Sequence, residues 1–281
     1  MRHLYVTDMD GTLLGTDSRV SEESAAIISE LSRRGVPVTV ATARTPATVE
    51  VLLSGTFTNI PAIVMTGAAL WDRNARRYIH PMLLDTGVAE KVIGAFSEFG
   101  LTPFVYVLGE SGRLDVYHRG DMNRWEDNFY QERCHLSGKR FIFGNREETV
   151  RPPEGTILIF GMGEAARIEA VAEKLRGITG VSVSCYRDIF NHNVANIEIF
   201  AEGVSKASAI RRLASHIGAD RVTVYGDNLN DLPMFEVADE AVAVANAMPE
   251  VIAQADRVIG PNSASSVARD MLRQVEKSED L

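Results

Sequence analysis

The chain has 281 residues, 45% of them hydrophobic and 24% charged, with a formal net charge of −9. That length buries a core without covalent staples, so folding requires no disulfide or structural metal. The acidic balance excludes binding driven by general attraction to nucleic-acid phosphates, and no apolar run approaches the roughly 20 residues of a membrane span.

The N-terminus passes from Met1-Arg2-His3 directly into a strand, with no secretory pattern. Cys134 and Cys185 form no C-x-x-C or zinc-type spacing. Both read as packed thiols of a protein in a reducing, cytoplasmic compartment.

In chain order the first elements read β-α-β-α-β. Leu4-Tyr5-Val6-Thr7 is a short apolar run suited to a strand covered on both faces. A glycine turn follows at Asp10-Gly11-Thr12. Ser21 can cap a helix over 24–31, and Gly35 ends it. Residues 36–41 form a second strand, 47–53 a helix and 61–65 a third strand. This succession predicts a parallel sheet with right-handed crossovers.

The middle of the chain changes character. An amphipathic helix over 85–99 precedes two strands, 102–108 and 112–118, that pair as a hairpin around Gly109-Glu110-Ser111-Gly112. A helical stretch over 122–133 leads to a short strand near Phe141. The basic Ser137-Gly138-Lys139-Arg140 reads as a solvated loop. Strands at 156–160, 181–185 and 195–200 and a helix over 164–175 complete an α+β unit.

After Gly203 the β-α rhythm resumes: helix 204–216, strand 221–225, helix 230–237, strand 241–244, and helices over 248–255 and 263–275. The simplest architecture is a Rossmann-like, doubly wound α/β core with an inserted α+β domain, the core formed by residues 1–83 and 201–281 and the insertion by 84–200.

Four motifs carry chemistry. Asp8-Met9-Asp10-Gly11-Thr12 follows the first strand, where ligands of open α/β sheets bind. Two carboxylates this close repel unless a cation sits beside them, and Mg2+ prefers oxygen ligands. Thr42-Ala43-Arg44 ends the second strand with a hydroxyl and amides able to hold phosphate oxygens. Lys206, opening a helix, could neutralise a transferring phosphoryl group. Gly226-Asp227-Asn228-Leu229-Asn230-Asp231 brings two more carboxylates and two amides to a third strand end. Singly, each has a structural alternative: an acidic turn, a capping threonine with a surface arginine, a solvated lysine, and a turn rich in Asp, Asn and Gly.

In this order the four motifs resemble the haloacid dehalogenase superfamily, and within it the Cof-like phosphatases with a type IIB cap. The resemblance extends to Asn246-Ala247-Met248-Pro249-Glu250 and Ala255-Asp256-Arg257-Val258. Two departures stand out: Ala43 where the family has glycine, and Gly67-Ala68-Ala69 where it has Asn-Gly-Ala.

The resemblance implies a Mg2+-dependent phosphatase for a small-molecule phosphate ester, most simply a sugar phosphate. It implies that Asp8 becomes an aspartyl-phosphate and that Asp10 acts as general acid, then base. The Asp8 carboxylate, the Asp10 backbone carbonyl and the Asp227 carboxylate would hold the metal, with Asp231 behind them. Met9, Thr42, Ala43, Lys206 and Asn230 would grip phosphate. The cap would choose the leaving group, with hinges near 81–85 and 201–203; no nucleic-acid, membrane or protein partner is implied. Tyr106, Trp125, Tyr186, Asn191 and His192 could meet a sugar or simply be structural. A phosphomutase or phosphotransferase using the same aspartyl-phosphate, and a non-catalytic phosphometabolite-binding regulator, are the alternatives.

Overall fold

The computed structural model describes residues 2–109, 112–145, 154–188 and 191–279. They form two compact units, one of Met1–His80 with Ser205–Leu281 and one of Pro81–Val204. No helix among the described residues is long and apolar enough to cross a membrane.

The first unit begins with β1 (His3–Thr7), α1 (Glu22–Arg33), β2 (Val38–Val40) and α2 (Pro46–Leu52). After β3 (Ala62–Val64), β4 (Ala69–Asp72) and β5 (Arg77–Ile79), the unit resumes with α6 (Lys206–Ile217), β12 (Arg221–Gly226) and α7 (Leu232–Phe235). It ends with β13 (Glu240–Val244), α8 (Pro249–Ile252), β14 (Arg257–Ile259) and α9 (Ser266–Glu279). The central sheet is wholly parallel, in the order β14-β13-β12-β1-β2. Leu4, Val6, Val40, Val224, Val242 and Val244 are all buried. Runs this rich in valine suit strands with no solvent face.

Register is what positions the site. Thr7 lies opposite both Tyr225 and Val40, so β1, β2 and β12 end together and their following residues emerge at one sheet edge. Local signals set the helix around them. Ser21 Oγ accepts from the Ser24 amide at 3.0 Å and starts α1, as capping side chains do, and Gly35 follows its end.

The third predicted strand departs from expectation. β3 lies in a three-stranded antiparallel sheet, β3-β4-β5, and touches the parallel sheet through the single bridge Ala41–Ile63. Two of these short strands, and β14, lack a period long enough to read in sequence. The predicted helix over 230–237 is instead a tight turn, Leu229–Asp231, followed by the short α7.

Beneath α9, the Arg257 guanidinium donates to Glu240 at 2.6 Å and to Asp270 at 2.7 and 2.5 Å, and the buried Tyr225 hydroxyl donates to Asp270 at 3.0 Å. His3 stacks on Tyr5 and hydrogen-bonds Thr223 Oγ1 at 2.8 Å. Burial, with Arg221 alongside, pulls the His3 imidazole down to about 4. Between about pH 6.5 and 4 the folded state binds fewer protons than the unfolded chain, so stability falls on acidification through that window. We expect His3 to account for on the order of 2–3 kcal/mol of this loss. Urea unfolding at pH 7 and 4.5 should show a smaller acid loss in His3→Gln than in the unaltered protein.

The second unit contains α3 (Thr86–Glu98), β6 (Phe104–Leu108), β7 (Leu114–Arg119), α4 (Arg124–Gln131) and β8 (Lys139–Gly144). It continues with β9 (Thr156–Glu164), α5 (Ala165–Leu175), β10 (Val181–Arg187) and β11 (Val194–Ala201). Its sheet runs β10-β11-β9-β6-β7-β8, antiparallel except for β7 with β8. Val105, Val107, Ile159, Ile197 and Ile199 pack against apolar residues of α3 and α5, among them Phe96, Ile168 and Val171. The hairpin between β6 and β7 forms as predicted, although residues 110 and 111 of its turn lie outside the described residues.

Two expectations fail here. Lys139 and Arg140 are the first residues of β8 rather than part of a solvated loop, and Lys139 is buried. The two cysteines are free and exposed, not packed. Thiol burial is a tendency of residue type that a particular strand or helix end need not follow.

Candidate active site

Asp8 follows β1, and its amide donates to the Tyr225 carbonyl of β12 at 2.9 Å. Ala41 N donates to the Thr7 carbonyl at 2.8 Å, bringing the end of β2 beside Asp8. Lys206 is the first residue of α6, behind a Ser205 cap that accepts from the Ser208 amide at 3.0 Å. Its buried ammonium donates to Asp8 Oδ1 at 2.5 Å and to Asp231 Oδ1 at 2.7 Å. Residues 198 positions apart thus form one ion pair.

The loop after β12 is held from within. Asp231 is wholly buried, and its Oδ2 accepts from the amides of Asp227 at 3.0 Å and Asn228 at 3.1 Å. Both Asp231 oxygens are therefore engaged by protein donors. Thr12 donates to Asp227 Oδ1 at 2.6 Å.

Gly11, in the turn Met9–Leu13, has φ of +79°, and a Cβ there would stand 2.3 Å from Asp227 Oδ2. Any side chain would be strained and would collide with the carboxylate.

Asp8, Asp227 and Asp231 can each direct one oxygen to within 4.8 Å of the others. Burial pushes the Asp8 carboxyl up to about 7, against the opposing pull of Lys206. Burial also raises Asp227 to about 6, although the Thr12 hydrogen bond favours its charged form. For Lys206, burial alone would lower the amine, but Asp8 and Asp231 outweigh it and hold the ammonium well above the usual lysine range.

Three carboxylates against one ammonium leave two negative charges uncompensated. An all-oxygen donor set with that deficit, in a desolvated site, fits a hard divalent cation.

The remaining predicted residues divide. Met9 and Thr42 are buried at the same sheet edge, and Thr42 Oγ1 accepts from the Arg44 amide at 3.1 Å. Ala43 and Asn230 are exposed, and the Asn230 side chain has no hydrogen-bond partner among the described residues. Asp10 is gripped by Arg44 in a two-pronged pair, Nε to Oδ2 and Nη2 to Oδ1, both 2.7 Å.

That role for Arg44 is not visible in sequence, where it reads equally well as a surface residue. Asn246, which donates to the Gly11 carbonyl at 2.8 Å, is likewise legible only as part of a tail motif. The segment that departs from the family pattern is held tightly too. Gly67 has φ of +99°, and a Cβ there would lie 2.3 Å from the Ser205 carbonyl oxygen, next to Lys206.

A parallel sheet with carboxylates gathered beyond its strand ends, around a lysine from the start of a helix, places the protein in the doubly wound α/β class. A sequence model of the haloacid dehalogenase-like hydrolases matches residues 5–271, and the chain belongs to that family.

Among curated proteins it is similar to two Bacillus subtilis (strain 168) enzymes, each named 5-amino-6-(5-phospho-D-ribitylamino)uracil phosphatase. YcsE is 25% identical over 95% of this chain and 93% of its own. YwtE is 26% identical over 93% and 94%. Among solved structures, a haloacid dehalogenase-like hydrolase from Bacteroides thetaiotaomicron superposes with a TM-score of 0.78 at 19% identity, covering 97% of this chain and 99% of that one. The subclass IIB sugar phosphatase BT4131 gives 0.70 at 19% identity, covering 97% and 98%. At such identities the structures establish the fold.

Proposed function

We propose that the protein is a Mg2+-dependent phosphatase that hydrolyses a small phosphorylated metabolite through an aspartyl-phosphate on Asp8. The observation that carries this reading is the Asp8 carboxylate itself, buried at a strand end, paired with Lys206 and grouped with Asp227. The Asp8 carboxylate, the Asp10 backbone carbonyl and the Asp227 carboxylate would hold the metal. A bound divalent cation there would relieve the repulsion between an anionic nucleophile and an anionic phosphate.

The remaining work belongs to the chain. Asp8 attacks phosphorus, and the ester oxygen departs with a proton from Asp10. A water that loses its proton to Asp10 then attacks the phosphorus of the aspartyl-phosphate and frees Asp8. Arg44 sets the direction of the Asp10 side chain between these steps. Lys206 steadies the nucleophile and the charge gathering on the phosphoryl oxygens, while the Met9 and Ala43 amides, Thr42 and Asn230 orient the phosphate. Asp231 keeps Lys206 and the Asp227 loop in place.

The names of YcsE, YwtE and BT4131 support a sugar or sugar-alcohol phosphate as substrate. We assign substrate choice to the Pro81–Val204 unit and catalysis to the other.

The test is phosphate release from a panel of sugar phosphates. Chelation should abolish release and added Mg2+ should restore it. Undiminished turnover in metal-free protein would rule the reading out. Product analysis separates the mutase alternative, which yields an isomerised ester instead of free phosphate. Tight ligand binding with no turnover by metal-loaded protein would favour the regulator.

A further inference from the structure

At the far end of the Lys206 helix, a cavity of about 560 Å3 opens between the start of β1, the β4–β5 hairpin and the end of α6. α6 is 12 residues long, so roughly 15 Å of helix separates this cavity from the ammonium that pairs with Asp8. Its wall carries two imidazoles, His80 just after β5 and His216 in the last turn of α6. Both belong to the first unit, and both are exposed.

The two rings stand 5.5 Å apart, centroid to centroid, with their planes 79° apart. Zinc–nitrogen bonds measure about 2.0–2.1 Å, so two imidazoles on one tetrahedral zinc have centroids roughly 5 Å apart. Rotation about the last side-chain bond of histidine is broad, which lets each ring turn a nitrogen to a shared point. The backbone favours the same outcome. The C-terminal end of a helix carries partial negative charge, which suits a cation beside His216. His80 holds φ of +49° immediately before Pro81, a left-handed conformation that costs a residue with a side chain about 1–2 kcal/mol. Strain of this kind collects where a side chain is held for a task.

The surrounding charges select the metal. Arg2 and Arg77 line the same cavity, with Arg77 Nε 4.0 Å from the Asp72 carboxylate. Asp72 Oδ1 already accepts from the amides of Asn74 and Ala75. A hard ion such as Mg2+ is held by several oxygen ligands and is poorly served here. A borderline ion takes neutral imidazole as a strong ligand and completes its shell with water.

We propose that His80 and His216 form a binding site for a borderline divalent metal of the Zn2+ class, separate from the carboxylate cluster around Asp8. Occupancy fastens the last residue of the first unit before Pro81 to the helix that carries Lys206.

The test uses the whole protein saturated with Mg2+ and titrated with Zn2+ by calorimetry, with Cu2+ as a spectroscopic probe. Zn2+ should bind one equivalent that Mg2+ does not displace. One equivalent of Cu2+ should show paramagnetic-resonance splitting from two nitrogens. Nitrogen splitting separates this site from the Asp8 cluster, whose side-chain donors are carboxylate oxygens. His80→Asn, which suits a positive φ, and His216→Gln should each weaken Zn2+ binding by about 10-fold or more, since losing even a ligand's supporting partner costs that much. Each should also remove the two-nitrogen signal, and Asp8→Asn should retain both signal and affinity. Both histidines are exposed, so the variants should keep the Tm of the unaltered metal-free protein.

Zn2+ binding unchanged in either histidine variant, a Cu2+ spectrum with one nitrogen or none, or loss of the site in Asp8→Asn would each overturn the inference. No part of the test measures turnover, so its result stands apart from the phosphatase reading.

Discussion

Asp8→Asn is expected to lower kcat on any phosphate ester by about 10^4-fold or more, the scale seen when a covalent nucleophile is removed. An amide oxygen is a poor nucleophile towards phosphorus and a weaker ligand for a cation. The fold should survive. Burial already holds the Asp8 carboxyl near 7, so close to neutrality the native site tolerates the uncharged form, and Lys206 keeps Asp231 as a partner at 2.7 Å. The measurement is steady-state phosphate release alongside Tm, with a single-turnover search for covalently bound phosphate. Asp8→Asn protein with full turnover would remove Asp8 from the chemistry.

Lys206→Met carries the second large effect, and it falls on stability as well as rate. The ammonium spans two buried carboxylates, Asp8 at 2.5 Å and Asp231 at 2.7 Å. Its loss strands both without a counter-charge, which for a buried pair costs about 3–5 kcal/mol. At roughly 2–4 °C per kcal/mol the Tm should fall by about 6–20 °C. The pH dependence should change as well. With Lys206 gone, the Asp8 carboxyl, already raised by burial, moves higher still. The folded state then binds more protons than the unfolded chain around neutrality, and stability declines as pH rises through that range. Thermal scans of both proteins from pH 5 to 8 should diverge towards the alkaline end. Parallel curves would show that the ion pair is not what holds the site.

Particular elements show how far sequence alone reaches. The runs Leu4-Tyr5-Val6-Thr7 and Val222-Thr223-Val224-Tyr225 became β1 and β12 with Asp8 and Asp227 just beyond them, because a valine-rich run has few stable alternatives to a buried strand. Ser21 and Gly35 bracketed α1 for equally local reasons. The same logic failed for Ser137-Gly138-Lys139-Arg140. Four polar residues look like a loop until partner strands supply their hydrogen bonds, and here β7 pairs with β8 along its whole length.

The Arg44–Asp10 and Thr12–Asp227 contacts were equally unreadable. Each links segments whose separation in sequence carries no information about distance in space.

By itself, then, the amino-acid order determined the residue types of the site and the strand ends on which they stand, since propensity, burial pattern and turn chemistry act over a few neighbouring residues. Only the tertiary structure decided that Lys206 bridges Asp8 and Asp231, that Arg44 grips Asp10, and that Lys139 is buried against Tyr106. Those outcomes follow from strand register and from the exclusion of water, which exist only once distant parts of the chain have packed together.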